Sequence, residues 1–130
     1  GPTSPRAFAG TTMPGFPNAY LLLGPNLVQY DSLLTLAELQ IDYVIEAVRT
    51  MHRRGIAVTE VTESACAAYN RGVQRALATT VYNRGGCSNF YLDEHGTNFV
   101  SWPWSRRRLA RRLAEFDLGD YHAEPIEGRR

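Results

Sequence analysis

The sequence predicts an α/β chain, and three observations carry that reading. A wholly apolar run, "AYLLL" at residues 19–23, stops at Gly24-Pro25-Asn26. A long amphipathic pattern begins within ten residues of that stop. Farther on, Asp93-Glu94-His95-Gly96 lies between "NFYL" and "TNFVSW", the pattern of a hairpin loop closed by glycine. A continuous apolar run between turn residues is the mark of a strand covered on both faces in a parallel sheet. Such a strand needs neighbours brought in by crossovers, and the chain offers no convincing second one. The predicted fold is therefore an incomplete α/β unit: one buried strand, two to three helices and a β-hairpin.

The elements divide the chain into four stretches. Residues 1–18 are rich in Gly, Pro, Ser and Thr and read as an extended opening segment with turns at Pro14-Gly15 and Pro17-Asn18. Gly1-Pro2 is set aside as a candidate tag remnant. Residues 19–55 hold the strand and the first helix. Over 32–54, Leu34, Ala37, Ile41, Val44, Val48 and Met51 recur at three- and four-residue steps and predict one apolar stripe. Asp31 or Ser32 can cap its start, Thr35-x-x-Glu38 offers a second capping box, and Gly55 is placed to stop it in the left-handed region. Residues 56–122 begin with "IAVTEV", a short strand or extended piece. Thr62 then caps a helix over 63–80, where Ala65, Tyr69, Val73, Ala76 and Thr80 share a face. Gly72 weakens that helix by roughly 1 kcal/mol against alanine. The hairpin follows, Pro103 ends it, and "SRRRLARRLAEF" predicts a third helix with Leu109, Leu113 and Phe116 on one side. Residues 123–130 read as a tail.

Composition excludes more functions than it suggests. The formal net charge is +1, so no globally basic or acidic partner is implied. No apolar run is long enough to span a membrane. Cys66 and Cys87 lie far apart with no CxxC, which argues against zinc and leaves a reducing cytoplasm as the expected compartment. His52, His95 and His122 are scattered, without a nucleophile or carboxylate at triad or metal-ligand spacing. Asp93-Glu94 serves a turn before it serves catalysis. The sequence thus offers no catalytic residue and no metal ligand.

Two stretches carry a binding reading beside a plainer one. A helix N-terminus after Gly24-Pro25-Asn26 would suit a phosphate or an electron-rich carbonyl. With one glycine, though, it matches neither the dinucleotide fingerprint nor the phosphate loop, and on spacing alone a simple strand-to-helix turn is the favoured reading. Arg106, Arg107, Arg108, Arg111 and Arg112, near Trp102 and Trp104, could engage an anion or nucleic acid. Near-neutral total charge argues against nucleic acid, and the plainer reading is a solvated helix face.

Three segments together point to a family. "PRAFAGTTMPGFPNAYLLLGPN", "ELQIDYVIEAVRTM" and "GGCSNFYLDEHGTNFVSWPWSRRRLARR" resemble the C-terminal part of the class B flavin-dependent monooxygenases, the group of Baeyer–Villiger monooxygenases and flavin-containing N- and S-oxygenases. The resemblance runs from Pro5 to about Tyr121. It implies a fragment of a flavoprotein with two dinucleotide-binding domains, in which the run 19–23 closes the FAD-binding sheet. Gly24, Pro25 and Asn26, with Asp31, Ser32, Leu33 and Leu34, would lie on the FAD side. Ser88, Asn89, Phe90 and Tyr91 would border NADPH.

The implied reaction puts one oxygen on a ketone, amine or sulfur centre by way of a C4a-peroxyflavin. Relatives carry further glycines and a histidine where this chain reads "LVQYDS", and commonly a tryptophan in place of Phe90. The glycine fingerprints that hold the phosphates of FAD and NADPH are absent from these residues. The chain by itself is therefore expected to bind neither cofactor tightly and to be inactive. Its expected partners are the N-terminal FAD/NADPH-binding portion of the same protein and a small-molecule substrate. A second copy, paired through the orphaned strand, is a further expected partner.

Overall fold

The computed structural model describes residues 6–26, 33–78 and 105–127. Helix α1 spans Leu33–Arg54, strand β1 Ile56–Val61, helix α2 Glu63–Leu77, helix α3 Arg106–Leu113 and strand β2 Tyr121–Pro125, with a 3-10 turn at Leu118–Asp120 before β2. The helices fall where periodicity places them. Gly55 stops α1 with φ +63°, a backbone region that a side chain disfavours. Thr62 caps α2 by accepting a hydrogen bond from the Ala65 amide at 3.0 Å. Ser105 caps α3 in the same way through Arg108 N.

The buried face of α1 is not the one the apolar spacing marks. Leu36, Gln40, Tyr43, Ala47 and Thr50 point inward, whereas Leu34, Ile41 and Val48 are 77 %, 44 % and 55 % exposed. The polar members of the inward face are tolerated because their hydrogen bonds are made inside. The inward face of α2 carries Cys66, Asn70, Val73 and Leu77. Asn70 donates to the carbonyl oxygens of Ala7 and Cys66. On α3, Leu109 and Leu113 are buried and Phe116 packs beside them, as the spacing predicts.

The described sheet is an antiparallel pair joining distant parts of the chain. Val61 faces Tyr121, Glu60 faces His122 and Thr59 faces Ala123, with a bulge between Ile56 and Val58. Residues 121–125, of which the last three were expected in a tail, thus form a strand. The core gathers Phe8, Ala9, Leu36, Tyr43, Val61, Cys66, Leu109, Leu113 and Tyr121. Phe116 stacks 4.6 Å from the Tyr121 ring.

The expected buried strand at 19–23 is corrected. These residues join no ladder, and Leu22 and Leu23 are exposed. A parallel strand is held only by neighbours, and none stands beside it among the described residues. The segment is fixed instead by single contacts: Leu21 N donates to Thr11 O at 2.7 Å. Earlier in the chain, Asn18 both donates to and accepts from the backbone of β1, at Ala57 and Thr59. The expected hairpin at 89–102 lies outside the described residues.

Candidate functional site

The loop Gly24-Pro25-Asn26 sits where three segments meet. A Cβ added to Gly24 would run into the carbonyl oxygen of Gly10, so glycine permits the close approach of the two backbones. Asn26 is buried at φ +63°, and Leu23 just before the loop lies at φ +56°. A leucine there carries a penalty of roughly 1–2 kcal/mol, which the surroundings must offset.

The main restraint on Leu23 comes from α1. Gln40, fully buried on the inward face, accepts a hydrogen bond from Leu23 N at 2.6 Å. Its Nε2 donates toward Gly10 O at 3.0 Å, Thr11 Oγ1 at 2.9 Å and Leu21 O at 3.1 Å. One amide therefore ties the 9–12 turn, the 21–23 segment and helix α1 together. Sequence reasoning missed it; the signal was a glutamine three residues before Tyr43 and four after Leu36.

Of the residues expected on the FAD side, Gly24, Pro25, Asn26, Leu33 and Leu34 are described. Leu33 and Leu34 open α1 with exposed side chains, and the first turn carries no acidic residue. That end keeps its partial positive charge uncompensated by a side chain of the first turn. Asp31 and Ser32, and Ser88, Asn89, Phe90 and Tyr91 on the expected NADPH side, lie outside the described residues.

A second constellation is a chain of hydroxyls in the core. Thr12 Oγ1 lies 3.0 Å from Tyr121 Oη, which lies 2.6 Å from Tyr43 Oη. Burial pushes the Tyr121 phenol up to about 12, partly offset by its bonds to Thr12 and Tyr43. Burial raises Tyr43 further, with Tyr121 adding to the shift. Both stay protonated and serve as fixed polar links in the core.

The arginine helix faces a groove of about 840 Å³ between α2 and α3, lined by Tyr69, Gly72, Arg108, Arg111, Arg112 and Glu115 among others. Arg112 stacks over Phe8 at 4.5 Å and lies 5.8 Å from the Tyr69 ring centre. Asp117 and Asp120 also line the groove, so its charge is mixed rather than uniformly basic. Among the described residues no group of His, Cys, Asp and Glu is placed to hold a metal ion. Nor is any described helix long and apolar enough to cross a membrane.

A Baeyer–Villiger monooxygenase of Pseudomonas aeruginosa is 39 % identical over 123 residues, covering 91 % of this chain. The chain is homologous to the C-terminal part of Baeyer–Villiger monooxygenases. It spans about a quarter of the length of such relatives, 23 % in this instance. No family model matches it. A steroid monooxygenase bound to NADP superposes with a TM-score of 0.77 at 22 % identity, over 92 % of this chain and 23 % of its own. OTEMO, in complex with FAD and NADP, superposes with a TM-score of 0.75 at 16 % identity, over 92 % of this chain and 23 % of its own. These superpositions show that the chain shares the fold of a segment of each of those two proteins.

Proposed function

We propose that this chain forms one wall of the flavin site of an FAD- and NADPH-dependent monooxygenase, completed by an N-terminal portion that binds most of both cofactors. The relationship to the Pseudomonas aeruginosa Baeyer–Villiger monooxygenase carries the reading. The residues present fit a flavin. Leu33 and Leu34 offer apolar surface at a helix N-terminus whose first turn lacks an acid, a combination suited to an aromatic ring that gains negative charge on reduction.

When bound, FAD would supply the two-electron chemistry that activates O₂ against a ketone or a heteroatom centre. The chain's own contribution is binding and orientation. Gly24, Pro25 and Asn26 present a rigid backbone edge, the α1 N-terminus favours negative charge, and Leu33 and Leu34 exclude water from the face they cover. Ser88, Asn89, Phe90 and Tyr91 are assigned to the NADPH side of the cleft. The 130 residues alone supply no phosphate-binding loop and are expected to be inactive.

The test is expression of the whole reading frame that contains this chain. The expected protein is yellow, releases FAD on denaturation and oxidises NADPH faster when a ketone or sulfide is added. A reading frame confined to these residues, or a full-length protein that stays colourless after incubation with FAD, would overturn the proposal.

A further inference from the structure

Gln40 lies on a helix, away from the loop it governs, and it makes hydrogen bonds to four groups on two other segments. We infer that Gln40 is a positioning residue: it holds Leu23 in the left-handed region and so sets the direction in which Gly24-Pro25-Asn26 faces the cofactor. The inference rests on the flavin-site reading above.

Three observations converge on it. Leu23 and Asn26 are left-handed on either side of Gly24-Pro25; asparagine accepts that region readily, but a leucine persists there only where its surroundings enforce it. The amide of Leu23 itself is the group that Gln40 Oε1 accepts, at 2.6 Å. The Nε2 donors meanwhile hold Gly10 O and Leu21 O, which fixes the close approach that Gly24 requires. The acceptor half of the side chain shapes the loop, and the donor half anchors it to the 9–12 turn. Glutamine is the residue that does both: glutamate keeps the acceptor and loses the donors, and methionine keeps the volume and loses both.

The experiment uses the protein from the whole reading frame, with FAD as the probe. Q40M, Q40E and a control, V73A, are prepared as apoproteins. Val73 is fully buried on α2, a different helix from the one that carries Gln40, so its truncation serves as a control for destabilisation of the fold alone. FAD dissociation constants, the shape of the bound flavin's visible absorption bands and thermal midpoints are measured for each. The expected result is a rise in the dissociation constant of tenfold or more for Q40M and a smaller rise for Q40E, each with altered flavin bands. V73A is expected to lower the thermal midpoint with flavin bands unchanged.

Adding L23G to Q40M should recover part of the lost affinity, because glycine takes the left-handed conformation without the clamp. Q40M binding FAD within twofold of the unsubstituted protein would overturn the inference. So would V73A shifting affinity and bands as much as Q40M. If Q40M fails to fold, Q40E decides by the same readouts. An unsubstituted protein that never binds FAD overturns the flavin-site reading, and this inference with it.

Discussion

Tyr121 illustrates how much a single residue carries here. Its ring contacts Phe8 edge-on, its hydroxyl bonds Thr12 and Tyr43, and its backbone starts β2. Burial lifts its phenol from 10.0 to about 12. A folded pKa above the unfolded value means that the stabilisation is complete below about pH 10 and is lost as pH rises toward 12. Thermal midpoints should therefore be flat through neutral pH and fall above pH 10. Y121F should start lower, by about 1 kcal/mol for the lost hydrogen bonds, and fall less steeply. A Y121F profile parallel to the unsubstituted one would refute this. At this scale the sequence was legible where chemistry is local, as at Thr62 and Gly55. It was opaque where a side chain's partner lies far along the chain, as with Gln40 and Tyr121, separated from Leu23 and Thr12 by 17 and 109 positions.

The helices were legible in their existence and less so in their orientation. Spacing located α1, yet the inward face carries Gln40, Tyr43 and Thr50, and the more apolar row of Leu34, Ile41, Ile45 and Val48 looks outward. Periodicity measures where apolar groups are, not which face finds partners, and hydrogen bonding reversed the expectation. Helix α3 was easier because its arginines and leucines leave one choice. Strand β2 was missed because "YHAEP" has almost no alternation, with Tyr121 alone buried. The run at 19–23 read as a strand because apolar runs do so in parallel sheets, whereas among the described residues no strand stands beside it. Element-scale energetics give a direct check on α2. Thr62→Ala removes the hydrogen bond to the Ala65 amide, and should lower unfolding free energy by about 1 kcal/mol, measured by urea titration. A change below a few tenths would mean that the cap is satisfied otherwise.

For the whole molecule, the outward row on α1 is an apolar surface of the kind that seldom stays bare, and Leu22 and Leu23 are exposed as well. Self-association of the 130-residue chain is the expected result, with sedimentation showing dimers or larger species at high concentration. I41E/V48E should return it to a monomer, and a clean monomer before substitution would refute the expectation. Of the candidate site, the loop was legible as a motif, whereas the clamp that shapes it was not, because folding alone brings residue 40 to residue 23. The pairing of β1 with β2 has one more consequence, in time rather than space. Val61 is made sixty residues before its partner Tyr121. At a synthesis rate of about 5–20 residues per second, β1 waits roughly 3–12 s for its mate. Throughout that interval Val61 is left without its partner Tyr121, and the nascent chain's safety on the ribosome depends on what shelters Val61 until Tyr121 arrives.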